Sequence, residues 1–235
     1  MGARFEVELA SSRQLSPSVK SLVFRRCDGE PMQFAPGQFV NLLTSAGDKR
    51  SYSIASAPDG QSSFELAVTR VEGGVFSNEL HQLELGGRLT AIGPEGLFTR
   101  KAEDERPSLF VGTGTGVAPL RSMIASALAS GSQAPMRLLF GVRTEADVFY
   151  ESDYRSWAQQ ANVKVQVTLS RGSNDWSGKR GYVQHHLEEV LSELGQPEVV
   201  QVYICGLSKM VAEVKELARG KLALPRRHVH VERFD

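Results

Sequence analysis

A glycine-rich turn, GTGTG at residues 112–116, joins a run of apolar residues to a helix-like segment. Gly112, Gly114 and Gly116 let the backbone approach a ligand closely, and the amino terminus of the following helix attracts an anion. Counting the dinucleotide-binding fingerprint from Gly112 puts Val117 where its third glycine belongs. The turn therefore has the chemistry of a phosphate site, but a tight strand-to-helix connection explains it equally well.

Further polar residues follow the ends of the neighbouring predicted strands. In an open parallel sheet, ligands bind outside the carboxyl ends of the strands, so these residues should meet the glycine turn at one edge. They are Arg143, Ser170, Arg171, Cys205 and Gly206. Arginine, serine and a glycine turn suit phosphate groups, and the converging set predicts a site more strongly than any one member. Cys205 is interpreted either as a small buried apolar residue or as a group at the ligand edge.

A second candidate group is the stretch RSYS, residues 50–53, in a segment that otherwise has the pattern of a strand. Arg50 supplies a cation, Tyr52 a phenol ring and Ser53 a small hydroxyl. Regular alternation puts Arg50 and Tyr52 on one face of the strand and Ser53 on the other. A ligand that contacts all three must therefore lie along a strand end or edge. Without such a ligand, the stretch fits a half-exposed edge strand.

The first half of the chain contains short alternating or β-rich runs separated by turn signals. The runs cover residues 5–11, 19–26, 38–44, 50–56, 64–71 and 87–93. Six such runs with little helix between them predict a small antiparallel β-barrel. The exception is FSNELHQLEL, residues 76–85, where Phe76, Leu80 and Leu83 have helical spacing.

From Arg106 onward, apolar strand-like runs alternate with helix-like segments. This alternation predicts a parallel sheet with helices on both faces. The charged stretch KAEDERP, which ends at Pro107, separates the two patterns. We therefore predict an antiparallel β-barrel domain over residues 1–103 and a Rossmann-like α/β domain over residues 104–235.

Composition and residue spacing exclude several classes of partner and cofactor. The 27 basic and 27 acidic residues cancel and neither half is strongly charged, so neither nucleic acid nor a membrane is an expected partner. Two cysteines are too few for a disulfide framework, a zinc site or a four-thiolate iron–sulfur cluster. The histidines lack metal-site spacing, so no metal is expected. The sequence contains neither a membrane-length apolar run nor the apolar core of a signal peptide, which favours the cytoplasm.

In their order along the chain, these motifs resemble the ferredoxin–NADP reductase superfamily of flavin-dependent electron transferases. The matching stretches are FAPGQFV, RSYSIAS, GGVFSNEL, IGPEG, GTGTGVAPLRSM, LLFGVRT, SRGSNDWSGKRGYVQ, YICGLSKMV and VERFD. Each is modest alone, but nine in the family's order span nearly the whole chain. The resemblance implies a flavin-binding barrel, an NADP-binding α/β domain and an enzyme that moves electrons between NAD(P)H and a small carrier.

On the flavin side, the resemblance implies that Arg50 pairs with flavin phosphate, Tyr52 packs on the isoalloxazine ring and Ser53 hydrogen-bonds near its reactive nitrogen. A cation, an aromatic plate and a hydroxyl suit an anionic, planar, redox-active ring. Further implied flavin contacts, at a helix start and at an aromatic residue that would cover the ring, are Gly74, Val75, Ser77 and Phe234. Phenylalanine replaces the usual tyrosine at Phe234, and Asp235 follows it.

On the nicotinamide side, the resemblance implies a larger set of contacts. They are Gly112, Thr113, Gly114, Thr115, Gly116, Pro119, Arg143, Ser170, Arg171, Arg180, Tyr182 and Gly206. Ser170 and Arg171 would bind the 2′-phosphate of NADPH, Arg180 would add a cation, and Tyr182 would pack on adenine.

Ser53, Cys205 and Glu232 match the polar trio that the family gathers around the hydride path. We interpret them as catalytic groups with positioning and electrostatic roles, because the cofactors carry the hydride chemistry. The flavin motifs favour FAD, with FMN as the alternative. The cations near the third strand of the α/β domain favour NADPH, but the same stretch is also similar to NADH-using oxygenase reductases.

The predicted acceptor is a ferredoxin or flavodoxin, because the chain has no cysteine set for a cluster of its own. An acidic acceptor would need basic residues near the flavin, and the candidates are Arg25, Arg26, Lys49, Arg226 and Arg227. Two alternatives stay open. The chain could instead be the electron-transfer subunit of a multicomponent oxygenase, or a nucleotide-binding module without redox activity.

Overall fold

The alternating runs of the first half form an antiparallel sheet in the computed structural model, which describes residues 2–44 and 47–234. Its strands are β1 (Ala3–Ser16), β2 (Val19–Arg26), β3 (Phe39–Leu43), β4 (Lys49–Ser53), β5 (Ser63–Thr69) and β6 (Arg88–Glu95). They lie in the order β4-β3-β6-β1-β2-β5, and a bridge between Ile54 and Leu66 brings the end of β4 against β5. The sheet therefore curls into a barrel.

Alternate side chains of these strands fill one interior. Phe5, Val7 and Leu9 of β1 are buried, whereas the residues between them are not. A helix, α1 (Val75–Gln82), packs Phe76 and Leu80 against the same core, one helical turn apart. The period of two in the strands and the longer period in the helix are the two patterns that the sequence displays.

The second half forms a six-stranded parallel sheet in the order β10-β9-β8-β7-β11-β12. Its strands are β7 (Ser108–Thr113), β8 (Met136–Val142), β9 (Val163–Leu169), β10 (Lys179–Arg180), β11 (Gln201–Leu207) and β12 (Val229–Phe234). The connecting helices are α2 (Val117–Ala129), α3 (Glu151–Trp157), α4 (Leu187–Ser192) and α5 (Ser208–Arg219). The predicted fold class, an antiparallel barrel followed by a parallel α/β domain, is confirmed.

The central strands β7, β8 and β11 are mostly apolar because both faces of the sheet are covered there, whereas β9 and β12 also carry polar residues. In β7, Phe110 belongs to the core beneath α2, whereas Leu109 and Val111 belong to the core beneath α4 and α5. The two-residue strand β10 was not predicted, since so short a pairing leaves no periodic signal.

The segment between β6 and β7 contains the predicted boundary between residues 103 and 104, which stays a prediction. Arg100, which is only 2% exposed, organises this segment. Its guanidinium donates to Ser108 Oγ at 3.3 Å and to the Lys101 carbonyl at 3.1 Å, and it also binds the Asp104 carbonyl.

No helix within residues 2–44 and 47–234 combines the length and the apolar character that crossing a bilayer requires.

Candidate functional site

A cleft of about 1530 Å³ lies between the barrel and the α/β domain. Most of the predicted site residues line it, and they come from both domains. From the barrel these are Arg50, Tyr52, Ser53, Gly74, Val75 and Ser77. From the α/β domain they are Thr113, Gly114, Thr115, Arg143, Ser170, Arg171, Tyr182, Gly206 and Phe234.

Strand β4 supplies one wall of the cleft. Arg50 is exposed, and its Nη1 donates to the carbonyl of Lys49 at 2.9 Å. Within the described residues, no acidic side chain pairs with Arg50, so its charge is available to an anionic ligand. Tyr52 is half-buried, with its ring centroid 6.1 Å from that of Phe76, and burial raises the pKa of its phenol to about 12. Tyr52 therefore offers a neutral aromatic face beside a cation.

The predicted catalytic trio meets where β4 approaches β11 and β12. Ser53 Oγ donates to Glu232 Oε1 at 3.0 Å, across the domain boundary. Glu232 is the register partner of Cys205 on the adjacent parallel strand. Burial raises the pKa of the Glu232 carboxyl, an effect that the hydrogen bond from Ser53 opposes. The structure thus brings the three residues together.

Cys205 lies behind the wall of the cleft and not in it. The residue is fully buried, and burial, with a smaller contribution from the Glu232 carboxylate, raises the pKa of its thiol well above the ordinary value. A thiol in this environment stays protonated at neutral pH and is a poor nucleophile. Cys205 can shape the site and its electrostatics without reacting.

The start of α1 faces the cleft on the barrel side. Gly74 is the residue before the helix. A Cβ atom at this position would lie too close to the side chains of Ser77 and Val71, so a larger residue does not fit. The Ser77 hydroxyl accepts from the Val71 amide at 3.1 Å and donates to the Gly74 carbonyl at 3.3 Å. Ser77 therefore holds the turn, while the free amides of the first helical turn remain for an anion.

The glycine turn approaches β11 more closely than any side chain would allow. A Cβ atom on Gly116 would collide with the carbonyl of Cys205. One on Gly206, whose φ is +145°, would collide with the Thr113 hydroxyl. Thr113 Oγ1 is buried, has no hydrogen-bond partner among the described residues and belongs to a residue that lines the cleft. Gly112, Gly116 and Pro119 are buried and do not line the cleft.

The ends of β8 and β9 bring the other predicted phosphate residues together. The Ser170 amide donates to the Val142 carbonyl at 3.1 Å and the Arg171 amide to the Arg143 carbonyl at 2.7 Å. Both arginine side chains are exposed at the cleft, as is Tyr182. The structure therefore places two cations and a hydroxyl at one edge.

Arg180 differs from the other predicted cations. Its guanidinium donates to the carbonyls of Gly172, Ser173, Asn174 and Trp176 at 2.6–3.2 Å, and the residue does not line the cleft. These bonds hold the segment between β9 and β10 in shape.

Several residues that line the cleft were not predicted from the sequence, and Thr69 is an example. Thr69, at the end of β5, donates from Oγ1 to Thr115 Oγ1 at 3.2 Å and thereby joins the barrel to the glycine turn. A threonine in a β-rich run carries no signal that separates it from an ordinary strand residue.

The donor set suits a flavin dinucleotide on the barrel side and a nicotinamide dinucleotide on the other. An unpaired arginine, a neutral aromatic face and a helix start serve the first, while a glycine turn with an orphaned buried hydroxyl and two exposed arginines serve the second. Among the described residues, no three histidine, cysteine or acidic side chains cluster in a way that could hold a metal.

Comparison with known proteins agrees with this division. Residues 6–99 match the oxidoreductase FAD-binding domain and residues 110–216 match the oxidoreductase NAD-binding domain. The chain is 52% identical to ferredoxin–NADP reductase B of Sorangium cellulosum, over 98% of both chains. It belongs to the ferredoxin–NADP reductase family. The predicted membership, the oxidoreductase class and the two kinds of dinucleotide-binding domain are thereby confirmed, while the roles of single residues stay predictions.

More distant members of the family are parts of larger systems. The chain is 31% identical to the ferredoxin–NAD(P)+ reductase component of the naphthalene 1,2-dioxygenase/salicylate 5-hydroxylase systems of Ralstonia sp., over 87% of this chain and 62% of that one. A ferredoxin reductase in carbazole 1,9a-dioxygenase superposes with a TM-score of 0.87 at 25% identity, and covers 99% of this chain and 70% of its own. The chain therefore spans less than two thirds of the Ralstonia relative.

Proposed function

We propose that the protein transfers hydride from NADPH to FAD and passes the electrons to a ferredoxin- or flavodoxin-type carrier. The observation that carries the proposal is the bond from Ser53 to Glu232, which joins the two dinucleotide-binding domains at the cleft. When bound, FAD supplies the chemistry that connects a two-electron donor to one-electron acceptors. The protein contributes binding, orientation and exclusion of water.

The residues of the barrel would hold the flavin. Arg50 offers a cation to its phosphates, the start of α1 offers backbone amides, and the Tyr52 ring offers a neutral face. Phe234 is half-buried, lines the cleft and packs against the core beneath α2. We propose that it covers the ring until nicotinamide arrives. Asp235, which follows it, lies outside the described residues.

The α/β domain would select the nucleotide. Arg143, Ser170 and Arg171 lie together at the cleft and suit a 2′-phosphate, which favours NADPH over NADH. The 52% identical relative is named for NADP, which supports the same choice. Because the guanidinium of Arg180 is engaged by loop carbonyls, we assign it to holding the loop and Arg171 to the phosphate.

Two of the five cations predicted for the acceptor surface form ion pairs within the barrel. Arg25 pairs with Glu8, and Arg26 pairs with Asp28 at 2.6 Å, so neither presents a free cation to an acidic carrier. Lys49, Arg226 and Arg227 are exposed and remain candidates. The two cysteines are free thiols, which supports a reducing compartment such as the cytoplasm.

The second candidate function is the reductase component of an oxygenase, which the names of the Ralstonia relative and of an anthranilate 1,2-dioxygenase electron transfer component favour. It differs from the first in the partner and in the use of NADH. A nucleotide-binding module without redox activity is the third possibility, and two oxidoreductase domains speak against it.

The test is an anaerobic titration of the purified, FAD-loaded protein with NADPH and then with NADH, followed through the visible flavin band. We expect NADPH to bleach the band at lower concentration than NADH, and reduced protein to pass electrons to a ferredoxin or flavodoxin. Bleaching by NADH at the lower concentration would favour the oxygenase component. A protein that takes up flavin but is bleached by neither nucleotide would overturn both candidates.

A further inference from the structure

Two neighbouring side chains of α2 bind the segment that follows strand β4. Arg121 Nη1 donates to the Ala55 carbonyl at 2.8 Å, and Ser122 Oγ donates to the Ser56 carbonyl at 2.7 Å. The same helix begins at the glycine turn. Helix α2 therefore connects the nucleotide side of the cleft directly to the strand that carries Tyr52 and Ser53.

Arg121 also lies in a largely buried cluster of charges from both domains. It donates to Glu65 on β5 at 2.9 Å and to Asp153 on α3 at 2.5 Å. Its guanidinium carbon lies 4.2 Å from the ring centroid of Tyr150, whose hydroxyl donates to Glu65 at 3.0 Å. The directions of its donors are fixed by the planar guanidinium, so a lysine could not reach the same three acceptors at once.

The arrangement does more than hold two domains together. Ala55 lies two residues beyond Ser53, so a movement of Ala55 moves the donor of the Ser53–Glu232 bond. Glu65 accepts from Arg121 and Tyr150 and also from Ser21, and its amide binds Ser56 Oγ at 3.1 Å. The barrel side of the contact is therefore rigid, and Arg121 transmits its position to α2.

We propose that Arg121 is a positioning residue for hydride transfer, which fixes the distance between strand β4 and the glycine turn. The inference rests on the proposed function. Arg121 touches neither dinucleotide site, because it does not line the cleft. It acts through Ala55 on Ser53 and through α2 on the turn, and a displacement of about 1 Å between reacting groups costs about 100-fold in rate.

The first test compares Arg121→Lys with Arg137→Lys. Arg137 is a matched control, because it is buried, donates to Glu193 at 3.0 Å and to the Met136 carbonyl at 2.9 Å, and has these partners within the α/β domain. We expect Arg121→Lys to slow flavin bleaching at saturating NADPH by about tenfold or more, with KM for NADPH and the affinity for FAD unchanged. Arg137→Lys should lower the melting temperature without this effect on the rate.

Ser122→Ala tests the same contact between α2 and the segment after β4 without leaving a buried charge unpaired. It removes only the hydrogen bond to the Ser56 carbonyl. We expect a smaller decrease in the bleaching rate, again at unchanged KM. A decrease in affinity for NADPH with the rate intact would contradict the positioning role.

The second test measures the distance between the two domains. Spin labels on the exposed Cys27 and on Ser192→Cys, an exposed site at the end of α4, report the distance between the domains, since Cys205 is buried and escapes labelling. In the FAD-loaded protein, we expect Arg121→Lys to broaden or shift the distance distribution and Arg137→Lys to leave it unchanged. A slower rate with an unchanged distribution overturns the proposal, as does equal behaviour of the two lysine variants.

The two proposals fail in different ways. If the unaltered protein is not bleached by NADPH or NADH, the proposed function fails, while the label distances still decide whether Arg121 sets the domain position. If the unaltered protein is bleached normally and Arg121→Lys changes neither rate nor distance, only the inference about Arg121 fails.

Discussion

Residue scale: the side chains expected around the flavin ring are mostly neutral. Burial raises the pKa of the Tyr52 phenol to about 12 and raises the pKa of the Cys205 thiol well above its ordinary value. Ser53 contributes an uncharged hydroxyl, which donates to the Glu232 carboxyl, a group whose pKa burial raises. Neutral groups do not repel negative charge, so this environment suits a site where hydride arrives.

The raised pKa of Glu232 makes stability depend on pH. A carboxyl whose pKa is higher in the folded than in the unfolded state contributes stability that is complete below the unfolded pKa and is lost as pH rises through the folded pKa. The side chain of Glu232→Gln cannot ionise, so this variant does not lose stability in this way as the pH rises. We expect the variant to be more stable than the unaltered protein near pH 8, and this advantage to shrink as the pH falls toward the pKa of glutamate in the unfolded chain.

Thermal unfolding of both proteins across this range measures the effect. Glu103→Gln, at an exposed glutamate between the two sheets, is the control for the loss of one carboxyl group. If Glu232→Gln differs from the unaltered protein by the same amount at both ends of the range, the carboxyl does not titrate as described.

Element scale: the segment between β9 and β10 gives different environments to Arg171 and Arg180, which the sequence alone does not distinguish. Arg180 binds four carbonyls of the segment, and Glu145 accepts from the Ser173 amide and hydroxyl at 2.8 and 2.7 Å. The segment therefore has a shape of its own, with Arg171 left exposed at the cleft.

These contacts predict different effects for two alanine variants. Arg171→Ala should raise KM for NADPH by about tenfold or more and leave KM for NADH unchanged, because it removes a charged bond to the 2′-phosphate. Arg180→Ala should raise both KM values by similar factors, because the segment loses its shape. Steady-state kinetics of both variants with NADPH and with NADH measure these KM values. An effect of Arg180→Ala on NADPH alone would show that Arg180 binds the phosphate directly.

The strongly periodic elements could be predicted from sequence, since burial on one face leaves its period in the residues. The alternating residues of β1 and the continuous apolar residues of β7 are examples. The partners of Arg121 and Arg180 could not be predicted, because a guanidinium that binds distant carbonyls looks like any polar residue on a helix or strand. The Ser53–Glu232 contact was expected only through resemblance, since its partners are distant in sequence.

Whole-molecule scale: the two domains meet along a boundary that is partly apolar and partly polar. The barrel has a core of its own and the α/β domain has one beneath α4 and α5, whereas the core beneath α2 also includes Val19, Ala55, Ala67 and Phe98 from the barrel side. The contacts between domains include single hydrogen bonds such as Ser53–Glu232 and Thr69–Thr115. A ligand that binds the folded cleft should therefore stabilise the whole protein.

Removal of flavin tests this coupling. At a free FAD concentration about 100 times the dissociation constant, binding should stabilise the folded protein by about 2.7 kcal/mol, which raises the melting temperature by several degrees. FMN should stabilise less, because it lacks the adenosine half. Differential scanning fluorimetry of flavin-free protein with each flavin measures both effects. A melting temperature that does not respond to FAD would contradict binding in the cleft.

The Ser53–Glu232 bond joins residues that are 179 positions apart. Closing a loop of this length is costly in entropy until the intervening structure exists, so we expect this contact to form late in folding. A chain whose barrel alone has folded already carries Arg50 and Tyr52 on β4, but it has neither Glu232 nor the glycine turn in place. Under the proposed function, the hydride path is therefore complete only when both domains are folded, and we expect a molecule with the barrel alone folded to be unable to draw electrons from the nucleotide pool.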